Sequence, residues 1–344
     1  MGRSLSDFVV FIAKRLVQLV PVLLGITILT FFFTHVSVVN PCSAWYPHQP
    51  VGSPVTAHCE AMFHQPIQNQ YWQYLTNLLH GNWGASNTGA YPVYTSIANG
   101  LPATIELVLA ALFLMIVIGI PLGVIAAASS GRWADHFVRI FYLTGWATPT
   151  YLGAVVAAIF VGPYFGLPSH GEYSALLPPF PQRTHMSIVD ALLAGNLPWT
   201  VDAIRHLVLP AAVLAFINMG IATRMTRSSM LEVLPLDFVK SARMKGLSEF
   251  WVLYKHALRN ALITTTTVLG VTAGGLLAGT VVIEEVFGWP GIGSYAYTAI
   301  GGGGAVQNFD GAIAVVAVFA VGVVVANLIA DVLYGLLDPR VGWS

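Results

Sequence analysis

Residues 236–263 read LDFVKSARMKGLSEFWVLYKHALRNALI, the most charged segment of a chain that otherwise carries almost no charge. Pro235 suits a first helical turn, and the ten residues after it contain no breaker, which predicts a helix of about 15 Å. Gly246 ends that helix. Ser248 and Glu249 then predict a second start, one through a capping hydroxyl and the other through a charge suited to the positive end of the dipole. The second helix runs straight into an apolar span. A short helix, a glycine turn and a helix that enters a membrane together make a lever that a soluble partner can push.

The bulk composition sets the class. Charged residues are 9% of the 344, and apolar residues are 56%. Soluble domains carry about 25% charge, so this is an integral membrane protein, all-α by expectation. Six stretches are long and apolar enough to cross a bilayer or nearly so: 16–36, 103–128, 140–161, 206–223, 263–283 and 312–336. The fourth is the shortest and carries Pro210 and Asn218. The basic N-terminal residues and the first apolar run are read as a retained span, since no small-residue cleavage site follows Phe33.

Charge placement fixes the expected orientation. With six spans and the N-terminus inside, thirteen of the fifteen Lys and Arg residues fall on the inner side, leaving only Arg183 and Arg205 outside. That is a strong positive-inside bias, and it predicts that both termini are cytoplasmic. Residues 1–36 are then the N-terminus and first span, 37–100 an extracytoplasmic loop region, and 101–338 a core of five spans. The charged inner loop covers 224–262. Its apolar side chains (Phe238, Val239, Ala242, Leu247, Phe250 and Trp251) suit a docking surface rather than a merely solvated loop.

Two cysteines, Cys42 and Cys59, lie in the first outer loop, with no Cys-x-x-Cys spacing for a zinc or iron–sulfur site. They are expected to form a disulfide in an oxidising compartment; the alternative is two free thiols too far apart to bridge. His48, His58 and His64 near Glu60 have no metal-like spacing, so no metal site is expected. Glu284 and Glu285, at the outer end of the fifth span, either meet a cationic group or are simply solvated. Thr264 to Thr267 either line a passage or bond to the carbonyls of the preceding turn.

Several function classes are disfavoured. No H-E-x-x-H, G-x-S-x-G or Walker loop is present, so a membrane enzyme or a chain that itself hydrolyses ATP through a P-loop is not supported. The ionisable residues nearest to span interiors, Glu106 and Asp331, sit close to span ends. That and the lack of a convincing repeat argue against the runner-up, an ion-coupled secondary carrier or channel that works without ATPase partners.

Lys240-Ser241-Ala242-x-x-x-Gly246, followed by His256-Ala257-Leu258-Arg259-Asn260, resembles the EAA loop of ABC-importer permeases. The match is closer to the B-type permease of the oligopeptide/dipeptide/nickel group. In the same order come AKRLVQLVPVLLGITILTFF from Ala13, GNWGAS from Gly81, LPATIEL from Leu101, RSSMLEVL from Arg227, EEVFGWPGIG from Glu284 and LLDPRV from Leu336. Lys240 and Ser241 replace the Glu and Ala of the motif's name. The outer segment with Cys42 and Cys59 matches no motif of that group.

The resemblance implies a type I ABC importer permease fold in the cell membrane. Its implied partners are a second homologous permease, two ATPase subunits, an extracytoplasmic substrate-binding protein and the lipid bilayer, with no nucleic acid. No cofactor is expected in this chain, ATP and Mg residing on the partner subunits. Leu236, Asp237, Phe238, Lys240, Ser241, Ala242, Lys245, Gly246 and Leu247 are the implied ATPase-docking loop, with Phe238 and Ala242 expected to fill the ATPase groove. Glu284, Glu285 and Trp289 are the expected outer gate or binding-protein contact. The implied cargo is peptides or similar small solutes.

Overall fold

The computed structural model describes residues 5–37, 53, 57, 60–61, 64–83, 92–174, 182–301 and 309–337. Cys42 and Cys59, and with them the expected disulfide, lie outside the described residues, as do His48 and His58.

The described chain is helical throughout its ordered elements. Helix α1 (Leu5–Ser37) is followed by α2 (Ile67–Leu79), then α3 (Val93–Ala128), α4 (Trp133–Ala147) and α5 (Thr150–Phe165). After a short α6 (Ser187–Leu193) comes α7 (Leu197–Val233), then α8 (Asp237–Met244), α9 (Glu249–Phe287), α10 (Ile292–Ala299) and α11 (Phe309–Leu337). Helices α3, α7, α9 and the 311–330 part of α11 are each long and apolar enough to cross a membrane, and α4 with α5 makes a fifth crossing if counted as one broken span. The first expected span falls within α1, where the apolar run Val20–Leu29 is shorter.

The weakest sequence span turns out to be the centre of the fold. Helix α7 extends well past 206–223 at both ends, is the most enclosed of the spans and packs against α3, α4, α5, α6 and α9. Leu207, Leu214, Met219 and Ala222 of α7 meet Leu107, Ala111 and Met115 of α3 and Leu269, Leu276 and Ile283 of α9 in one buried cluster. A helix surrounded by other helices needs no continuous apolar run, which is why polar residues such as Thr223 and Thr226 are tolerated in it. On α9's other flank, Gly270 packs against Ala330 of α11, and Gly274 lies where an added Cβ would stand 3.1 Å from the Val323 Cα. Gly275 and Gly279, on the same helix, face open space.

The expected continuous span 140–161 is corrected. Helices α4 and α5 meet at 104°. Thr148 has φ −79° and ψ 120°, the extended backbone that a following proline imposes, so Pro149 breaks the helix. Elsewhere prolines are absorbed. The π-helical turn Met115–Gly119 ends two residues before Pro121, and the turn Ala157–Val161 ends two before Pro163. A wider turn accommodates the missing N–H and the ring without a break.

Candidate functional site

Helix α8 is short, amphipathic and sits at the end of α7, one turn of chain away. Leu236 is its extended N-cap, Asp237 lies in its first turn, and Arg243 in its last, in keeping with the dipole. Val239 is fully buried and Ala242 is 5% exposed; both pack into a cluster with Val124 and Ala127 of α3, Met230 of α7, and Val252, Ala257, Leu258 and Ala261 of α9. Burying a valine of this kind contributes about 2 kcal/mol. The helix is thereby seated in a cluster that three spans share, with the Val252–Ala257 turn of α9 as its main neighbour.

Gly246 makes the turn. Its φ is +75°, the left-handed region that costs an L-residue about 1–2 kcal/mol, yet a Cβ there would meet nothing within 4 Å. The need for glycine is therefore conformational rather than steric. Its N–H donates to the Arg243 carbonyl (3.0 Å), closing α8. Across the turn, Arg243 donates twice to Glu249, at 3.2 and 2.7 Å. The hydroxyl of Ser248 does not cap α9, a correction to the sequence expectation; its carbonyl accepts from Val252 instead.

Ala242 also departs from expectation. It faces the interior, so of the two residues expected to fill a partner's groove only Phe238, 42% exposed, points outward. Leu236, Met244, Leu247, Phe250 and Trp251 share that exposed apolar surface, while Asp237, Lys240 and Lys245 form its polar rim. Lys240 pairs with Asp237 at 3.0 Å in solvent, and Ser241 is half-buried. Phe250 stacks at 4.7 Å on Tyr254, and Lys255 lies over the Trp251 ring at 5.5 Å, which holds these aromatics in place.

The opposite end of α9 is built the other way. Glu284 is 0% exposed. Its Oε1 accepts from the Thr104 hydroxyl of α3 (2.8 Å) and its Oε2 from the N–H of Ser294 (3.0 Å), in the first turn of α10. Thr104 Oγ1 in turn accepts from Ile292 N–H (2.9 Å). A side chain from another helix thus caps α10, whose N-cap residue Gly291 has no side chain to offer. An added Cβ on Gly291 would collide with that carboxylate, and one on Gly293 would stand 2.7 Å from the Val281 Cα. Trp289 is 1% exposed, its indole N–H donating to the Ala103 carbonyl at 2.9 Å. Glu284 and Trp289 are therefore enclosed within this chain and offer no exposed surface to a binding protein. Glu285 alone of the three is exposed.

Two groups here were not anticipated. Glu106 caps α6 through the N–H groups of Ser187 and Ile188, both at 2.9 Å. Asp135 of α4 receives a two-pronged bond from Arg227 of α7. Partners 81 and 92 residues apart leave no local signal in the sequence. The hydroxyls of Thr265 and Thr267 bond back to the carbonyls of Ala261 and Ile263, the second of the two readings for that run.

Residues 119–343 match the family model described as binding-protein-dependent transport system inner membrane component. The chain belongs to that family. It is 37% identical over 96% of both chains to the probable D,D-dipeptide transport system permease protein DdpB of Escherichia coli K12. It is 39% identical to the di/tripeptide transport system permease protein DppB of Pseudomonas aeruginosa, covering 96% of this chain and 98% of that one. Its fold is similar to that of an inward-facing MetNI methionine ABC transporter chain, with a TM-score of 0.54 at 16% identity, over 71% of this chain and 97% of that one. The protein is therefore a multi-pass inner-membrane permease of a binding-protein-dependent ABC importer. Within this permease, α8 and the Gly246 turn present exposed Leu236, Phe238, Met244 and Leu247 beside charged residues.

Proposed function

We propose that this permease conducts peptides, or similar small solutes, through a passage shared with a second homologous permease. Two ATPase subunits dock beneath the pair of permeases, one of them on α8, ATP and Mg being bound by them and not by this chain. An extracytoplasmic binding protein delivers the substrate. In this reading the chain crosses the membrane six times with both termini cytoplasmic, α1 supplying the first crossing and α4–α5 one broken crossing. The positive-inside distribution and the placement of α8 at the basic end support it.

The carrying observation is the pair of faces on α8. Its buried face enters, through Val239 and Ala242, a cluster built from α3, α7 and α9, while Leu236, Phe238 and Leu247 stay exposed beside it. A helix seated in a cluster that three spans share transmits displacement to all of them, because packed interfaces shift as units rather than deforming continuously. Closure of the ATPases on ATP binding would move α8, and the spans would follow to alternate the access of the passage. Peptide cargo is inferred from the functions of the relatives.

The test is reconstitution of the permease with its partner permease, ATPases and binding protein in proteoliposomes. Uptake of radiolabelled dipeptide is expected to require ATP and the binding protein. Uptake by the two permeases alone, driven by an ion gradient, would overturn the proposal and favour a secondary carrier.

A further inference from the structure

We infer that the Asp135–Arg227 pair is a positioning clamp that keeps α4 in register with α7, so that α3, α4 and α7 move as one body when α8 is displaced. The inference rests on the reading of α8 as the ATPase-docking helix.

The packing of these three helices leaves a specific need. Gly119 and Gly123 of α3 lie against Ala222, Thr223 and Thr226 of α7, where an added Cβ on Gly123 would stand 2.6 Å from Thr226 Cβ. Gly145 of α4 lies against the Phe216 carbonyl of α7, and an added Cβ on Gly220 of α7 would stand 3.3 Å from Tyr142 of α4. Glycine contacts let helices approach closely, but they remove the side-chain ridges that interlock and resist sliding. Between α4 and α7, Phe141 meets Phe216 edge-on at 5.2 Å and Arg224 lies over the Trp146 ring at 5.2 Å. A directional tie is still needed to fix the register along the axis.

Asp135 and Arg227 supply it. The guanidinium donates from Nε to Asp135 Oδ1 at 2.7 Å and from its second nitrogen to Oδ2 at 2.8 Å. Gly131 N–H, in the turn that joins α3 to α4, donates to the same Oδ2 at 3.1 Å. Asp135 is 1% exposed. A planar fork meeting a carboxylate with both nitrogens permits one relative orientation, and the Asp135 side chain, 2% exposed against 22% for Arg227, has little access to water if the helices slip. The position matters as much as the geometry. Met230, three residues beyond Arg227 and about one turn along α7, already belongs to the cluster that holds Val239 and Ala242 of α8. The clamp thus ties α4 and the α3–α4 turn to α7 directly beside the place where displacement of α8 enters.

The experiment uses the assembled transporter in lipid nanodiscs, with spin labels at His136→Cys of α4 and Ser228→Cys of α7 in a background without Cys42 and Cys59. The separation of the labels is expected to agree within about 2 Å between the nucleotide-free and ATP-bound states. Arg227→Lys, which keeps the charge but loses the fork, is expected to make that separation nucleotide-dependent. It should also lower substrate transported per ATP by about fivefold or more while basal ATP hydrolysis persists. A label separation that shifts on ATP binding in the unaltered clamp would overturn the inference, as would an Arg227→Lys transporter with undiminished transport per ATP. If the variant fails to assemble, the measurement on the unaltered clamp still decides. Failure of the docking reading itself would show differently, as ATP hydrolysis that neither the binding protein nor substitution of Gly246 alters.

Discussion

At one end of α9 the carboxylate of Glu249 lies in solvent and meets Arg243 across an open glycine turn; at the other, the carboxylate of Glu284 is sealed between α3 and α10. Glycine serves each end for a different reason. Gly246 adopts a φ of +75° with empty space around it, whereas Gly291 and Gly293 leave room that Glu284 and the Val281 backbone fill. The first arrangement is a turn built to present a surface, and the second is a lock built to hold three elements together. The Arg243–Glu249 pair is exposed on the surface of the turn, whereas Glu284 is enclosed and holds elements together.

The sharpest way to break that contrast is Glu284→Ala. It leaves the Thr104 hydroxyl and the Ser294 N–H without their acceptor, and at 1–3 kcal/mol for each buried orphan the cost is about 4 kcal/mol. Thermal unfolding of the detergent-extracted protein should show it, and a variant as stable as the parent would mean that the lock is not structural. Val239→Ala, on the buried face of α8, is expected to cost about 2 kcal/mol in the same assay, whereas the adjacent Phe238→Ala should leave stability within about 0.5 kcal/mol. Equal effects from those neighbours would erase the distinction between the two faces. Gly246→Ala follows with about 1–2 kcal/mol of local strain. It should leave the protein inserted and lower binding-protein-stimulated ATP hydrolysis by the assembled transporter.

The smallest expected effect lies in the loop beside the locked end. Burial raises the carboxyl of Glu172 above its ordinary value of 4.5, opposed in part by the hydroxyl of Ser187, which donates to it at 2.7 Å. A raised value means that the folded loop binds the proton more tightly than the unfolded one. Its stabilisation is thus fully present below 4.5 and is lost as pH rises through the raised value. Amide exchange over residues 166–174, corrected for intrinsic rates, should quicken as pH is raised, and Glu172→Gln should flatten that dependence. Exchange that slows with rising pH in the unaltered protein would contradict the sign.

Much of this was legible in the chain. The low charge content marked a membrane protein, Gly246 marked the turn, and the 236–246 segment folds as a short helix where the absence of breakers placed one. What was hidden depended on contacts between distant residues. Periodicity shows that α8 has an apolar side, but not that Val239 and Ala242 would be enclosed by α3, α7 and α9 while Phe238 stayed outside. Glu284 and Glu285 look alike in sequence, and only α3 and α10 decide that one is sealed in and the other exposed. The gap between α4 and α5 was signalled by Pro149, although a proline alone does not distinguish a kink from a 104° break. Glycines at 291 and 293 beside an acidic pair were the one local sign that something needed their space.

The central claim is that the outward face of α8 meets the ATPase while its inward face does not. Single cysteines at Phe238 and Ala242, in a transporter otherwise free of cysteine in this chain, test it through a short thiol-to-amine cross-linker. Phe238→Cys is expected to cross-link to an ATPase subunit, with a yield that changes on ATP binding, and Ala242→Cys to stay unlinked. Cross-linking through residue 242 with none through residue 238 would contradict the account.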